Sequence, residues 1–122
     1  MDKTVSEVLD GYSIAFLKDE KLNTREAAEN LVEYSKGLEE IKKKYPNVNW
    51  DIVIKSFISV NASIWKYEAA IRQGMIDDDL AVVGSRAILV REFNQVRVGL
   101  GNVVSSLLNE GLLNYKKDHI SE

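Results

Sequence analysis

Apolar residues recur at spacings of three and four along almost the whole chain. That rhythm predicts helices and no strands. The first helix is expected from about Thr4 to Leu22, with Val5, Val8, Leu9, Tyr12, Ala15, Phe16 and Leu22 on its apolar stripe. Thr4 or Ser6 is the expected N-cap, with Glu7 in the first turn. Asn23-Thr24 breaks the rhythm, and Thr24 is a natural cap for a second helix over about Arg25–Lys44. That helix carries a thin stripe of Ala27, Ala28, Leu31, Val32, Leu38 and Ile41.

Pro46 closes the second helix and opens a turn. Asn49 then caps a third helix, expected from Trp50 to about Gln73, with Gly74 as its stop. Asp77-Asp78-Asp79 opens a fourth helix running to about Leu108, with a break expected near Gly84. Gly99 and Gly101 sit inside that helix and call for a reason, either close approach of a neighbour or a kink. Beyond Gly111 the chain turns polar. The expected architecture is all-α: one domain over residues 1–122, an antiparallel four-helix bundle with a long last helix and a short polar C-terminal tail.

Composition narrows the chemistry. The chain has 122 residues and no cysteine, which removes disulfides, thiolate nucleophiles and cysteine-ligated metals. A single histidine, His119, lies in the polar tail and reads as a surface residue. The formal charge of −3 makes nucleic acid an unfavourable partner. Lys42-Lys43-Lys44 suits the negative end of a helix dipole. The three adjacent aspartates lack the alternating ligands and central glycine of a calcium loop, so no metal or cofactor is expected. No apolar run approaches the roughly 20 residues of a membrane span, and the N-terminus does not resemble a signal peptide. A cytoplasmic protein is the expectation.

One polar pattern stands out. Asn61, Trp65, Glu68 and Arg72 fall on one face of the third helix, among Ile54, Phe57, Ile58, Ile64 and Ile71. Asn94 and Arg97 share a face with Ala87 and Val90 on the fourth. Asp10, Ser13, Leu17 and Glu20 align on the first. Four of the five arginines, Arg72, Arg86, Arg91 and Arg97, fall in this part of the chain. Arginine is the residue best suited to pair with carboxylates in a partly buried site, so Glu68, Glu20 or Asp10 is expected to meet one of them.

Two readings of the stripe remain open. In the first, it is a buried polar network that sets helix or dimer register in a non-enzymatic accessory or interaction protein, expected as a homodimer. In the second, it is a pocket of a small enzyme or binding protein for an anionic metabolite. Arg72, Arg97 and Arg91 would then grip the ligand, with Asn61, Asn94, Trp65 and Lys18 around it. Catalysis would need an acid–base group, and Glu68 and Asp10 are the candidates.

The stretches from Glu7 to Ile14 with Lys18 and Glu20, from Val60 to Arg72, and from Arg91 to Arg97 resemble a group of small uncharacterised bacterial and phage helical proteins. The last residues, Asp118 to Glu122, are similar to some of its members. Gly11 stands where that group carries a basic residue. The resemblance implies an all-α fold and a phage or bacterial setting, and no activity.

Overall fold

A computed structural model describes residues 3–77 and 80–108, with the backbone alone for 74–77. It contains four helices: α1 (Val5–Leu22), α2 (Arg25–Lys44), α3 (Trp50–Asp77) and α4 (Leu80–Leu107). Of the Asp77-Asp78-Asp79 run expected to open the fourth helix, Asp77 is instead the last residue of α3; Asp78–Asp79, His119 and the polar tail lie outside the described residues.

Local chemistry explains the first boundaries. Thr4 Oγ1 accepts from the Glu7 amide at 3.2 Å, and the Glu7 carboxylate accepts from the Thr4 amide at 3.4 Å, a reciprocal cap. Asn23 ends α1 with a left-handed φ of 51°, a conformation asparagine tolerates well. Thr24 accepts from the Ala27 amide at 3.1 Å and starts α2. Asn49 Oδ1 accepts from the Ile52 amide at 3.4 Å at the start of α3.

Two expected interruptions do not occur. α3 continues through Gly74 to Asp77, and α4 runs unbroken through Gly84. A glycine ends a helix only when it takes a left-handed conformation; in a helical one it costs about 1 kcal/mol relative to alanine. The packing of α3 along α4 offsets that cost. Tyr67 stacks on Phe93 with ring centroids 5.8 Å apart, and Arg86 donates to the Ala70 carbonyl at 3.3 Å.

The same contacts give the directions. Tyr67 with Phe93 and Ala70 with Arg86 make α3 and α4 antiparallel. Ser6 near Gly101 and Asp10 near Arg97 make α1 and α4 antiparallel. Gly11 against Tyr34 in the α1–α2 hairpin, and Asn61 beside Ser13 between α3 and α1, complete an up-down-up-down bundle. α1 touches all three other helices and forms its spine.

The core gathers at the end where α1 begins. Val5, Val8 and Leu9 of α1 meet Leu38 and Ile41 of α2, Trp50, Ile54 and Phe57 of α3, and Val104 of α4. The Trp50 indole N–H is satisfied by the Tyr45 carbonyl at 2.8 Å, so the ring is buried without a lost hydrogen bond. Close approach explains Gly11 but not Gly101, where an added Cβ would make only an ordinary contact with Ser6, at 3.7 Å. The Gly101 carbonyl accepts from Ser6 Oγ at 2.6 Å, and Ser6 Oγ also lies 2.6 Å from Ser105 Oγ. Gly11 lies under the Tyr34 ring, where a Cβ would collide with it. A basic side chain at that position has no room. The Tyr34 phenol accepts from Lys3 Nζ at 2.9 Å, which holds the lysine pKa above its ordinary value. Gly99, by contrast, has open space around it, so close approach within the protomer does not account for it.

No helix among the described residues is long and apolar enough to cross a membrane.

Candidate functional site

The polar stripe converges on one place. Asn61, on α3, is 5% exposed and donates from Nδ2 to Asp10 Oδ1 at 3.0 Å and to Ser13 Oγ at 2.6 Å. Ser13 is fully buried, and its hydroxyl donates to the Asp10 carbonyl at 2.7 Å, as one helical turn permits. Its oxygen therefore accepts from Asn61, and the orientation of the amide follows from its partners. Arg97 Nε, from α4, lies 3.9 Å from the same Asp10 oxygen. One carboxylate oxygen thus gathers side chains from α1, α3 and α4.

Above this network a cleft of about 220 Å³ opens between the same three helices. It is lined by Ile14, Leu17 and Lys18 from α1, Asn61, Ile64, Trp65 and Glu68 from α3, and Asn94 and Arg97 from α4. Leu17 and Ile64 form a buried apolar wall, and Trp65 is half-buried at its edge. Lys21 Nζ sits 5.9 Å from the Trp65 ring centroid, within reach of the π-face. Asn94 donates to the Val90 carbonyl at 3.1 Å.

The stripe is less inward than its periodicity implies. Asn61, Trp65, Asn94, Arg97, Lys18 and Glu68 meet at the cleft, and Asp10 lies beneath it. Glu68 and Lys18 are exposed at its rim. Arg72 and Arg91 are exposed and do not line it. α1 has 18 residues and α3 has 28, and Asn61 is level with Ser13. Counting along the two parallel helices from that pair sets Glu68 near the last residues of α1 and Arg72 past its end. Arg91 precedes Arg97 by six residues, which turns it about 120° around α4. Glu20 is exposed as well, so of the three carboxylates expected to meet an arginine, Asp10 does.

The spacing places Ser13, Leu17 and Ile64 on the stripes without assigning them to the site, and it leaves out Ile14 and Lys21. The signal for Ser13 was its i+3 spacing from Asp10. Lys21 follows Lys18 at the same spacing. Among the described residues no group of three or more His, Asp or Glu side chains is placed to hold a metal ion.

No family model matches this chain, and no curated protein or solved structure matches it. The resemblance to small bacterial and phage helical proteins gains no support from these comparisons, and the functional reading rests on geometry.

Proposed function

We propose that this is a non-enzymatic helical interaction protein that pairs with a second copy of itself through the outer face of α4. The observation that carries the reading is the composition of that face. Ala81, Ser85, Ile88, Glu92, Val96, Gly99 and Val103 follow one another at steps of three and four, and all are exposed. Ala81, Ile88, Val96 and Val103 are its apolar positions, and exposed apolar residues repeated along one helix face are what association covers. An antiparallel pairing about Gln95–Val96 would set Ile88 against Val103 of the second copy. It would also set Glu92, the one charge on the line, against Gly99. That gives Gly99 a role that the protomer alone does not. The Asp10–Ser13–Asn61 network then acts within the protomer, holding α3 in register on α1. Sedimentation velocity tests this: the protein is expected to run as a dimer, and Val96→Asp as a monomer with unchanged helical circular dichroism. A monomeric wild-type protein would overturn it.

A second reading, binding of a small anionic molecule, is favoured by the cleft, where Arg97, Lys18, Asn61, Asn94 and Trp65 come together. A thermal-shift series with small carboxylates tests it, with Arg97→Met expected to abolish any rise in melting temperature.

A further inference from the structure

We infer that the cleft between α1, α3 and α4 binds an α-amino acid with an apolar side chain, in its zwitterionic form. The inference rests on the second reading above and narrows it from an anion to a zwitterion.

The starting point is the Asn61 amide. Its Nδ2 is committed to Asp10 and Ser13, which leaves Oδ1 as an acceptor with no protein donor. Among the described residues no sealed side-chain oxygen or nitrogen lacks a partner. Oδ1 is therefore reached from outside, and the opening beside Asn61 is the cleft. A side chain 95% buried, with a fixed orientation and one acceptor facing a cleft, asks for an N–H or O–H donor on whatever enters.

Arg97 supplies the complementary demand. Its Nε lies 3.9 Å from Asp10, beyond hydrogen-bond distance. Its terminal nitrogens have no partner among the described residues and retain their capacity for a bidentate carboxylate. Arg97 and Asn61 approach the same Asp10 oxygen and both line the cleft, so a cation and an amide with a spare acceptor belong to one site. An α-amino acid carries a carboxylate and an ammonium on one carbon and matches that juxtaposition. Leu17, Ile64 and Trp65 then provide an apolar wall for its side chain. The cleft is also small, at about 220 Å³. That suits an amino acid and falls below the roughly 300–1,000 Å³ of sites for larger ligands.

Isothermal titration calorimetry with three probes separates the possibilities: L-leucine, 4-methylpentanoate, which lacks the amine, and 3-methylbutylamine, which lacks the carboxylate. Leucine is expected to bind at least tenfold more tightly than either half. Arg97→Met is expected to weaken it tenfold or more while the helical spectrum is retained. Equal binding of leucine and 4-methylpentanoate would overturn the zwitterion and leave the anion reading standing. Tightest binding by the amine, or leucine binding indifferent to Arg97→Met, would overturn the inference. Binding of none of the three would overturn both it and the anion reading.

Discussion

The Asn61 carboxamide on α3 and the Asp10 carboxylate on α1 are joined by a 3.0 Å hydrogen bond, and the same amide nitrogen reaches Ser13 at 2.6 Å. Leucine at position 61 would fill similar space but strand the buried Ser13 oxygen. Asn61→Leu is expected to cost about 1–3 kcal/mol, the usual loss when a buried partner is removed. Asn61→Asp replaces both donors with acceptors and sets a second carboxylate against Asp10. Its cost is expected to be larger, about 3–5 kcal/mol. Urea denaturation of both variants at neutral pH checks the order; equal stability with wild type would show that the network does not hold α1 on α3.

Gly11 and Gly84 make opposite predictions from the same substitution. Both lie inside helices, where alanine is favoured by about 1 kcal/mol. Gly84 has nothing near its missing Cβ, so Gly84→Ala is expected to raise stability by about 0.5–1 kcal/mol. At Gly11 the Tyr34 ring occupies that space, so Gly11→Ala is expected to lose about 1–3 kcal/mol through overpacking. Adding Tyr34→Ala to Gly11→Ala should cost less than Tyr34→Ala costs in wild type. Thermal melts of the four variants test the coupling.

The caps of α1 and α2 should be energetically independent. Thr4 and Thr24 each satisfy an amide in a first helical turn, at 3.2 and 3.1 Å. Each change to alanine is expected to cost about 1 kcal/mol. The two caps lie at opposite ends of α1, about 27 Å apart at about 1.5 Å per residue. The double variant is therefore expected to lose the sum, about 2 kcal/mol. A clear departure from additivity in urea midpoints would show that the α1–α2 hairpin frays as a unit.

These caps also show what could be read before the fold was known. Thr4, Asn23-Thr24, Pro46 and Asn49 act on their own few residues, so the ends of α1 and α2 and the start of α3 follow from local chemistry. The end of α3 does not, because whether Gly74 stops a helix depends on what packs beyond it. The site divides the same way. Spacing places Asn61 and Glu68 on one line of α3, but which of them is covered depends on the neighbours: Asn61 meets Asp10 and Ser13 in the middle of α1, whereas Glu68 stands at the exposed rim of the cleft. Gly11 was visible as a departure from a resemblance, yet its cause, the Tyr34 ring, comes from a residue 23 positions away in the hairpin.

Arg97 and Asn61 approach the same Asp10 oxygen but should contribute very differently to stability. The guanidinium lies 3.9 Å away, and both charged side chains are about one-third exposed, at 33% and 30%. At that exposure water and salt screen the pair, and its contribution is expected to stay below about 1 kcal/mol. Asn61 is neutral and buried, and its hydrogen bonds are not screened. Arg97→Met should therefore shift the urea midpoint only slightly, and wild-type stability should change little between low and high sodium chloride. A loss on Arg97→Met as large as that of Asn61→Leu, or a marked fall with salt, would transfer the role of register from the amide to the ion pair. It would also remove the basis for treating Arg97 as a cation held in reserve at the cleft rather than one consumed by the fold.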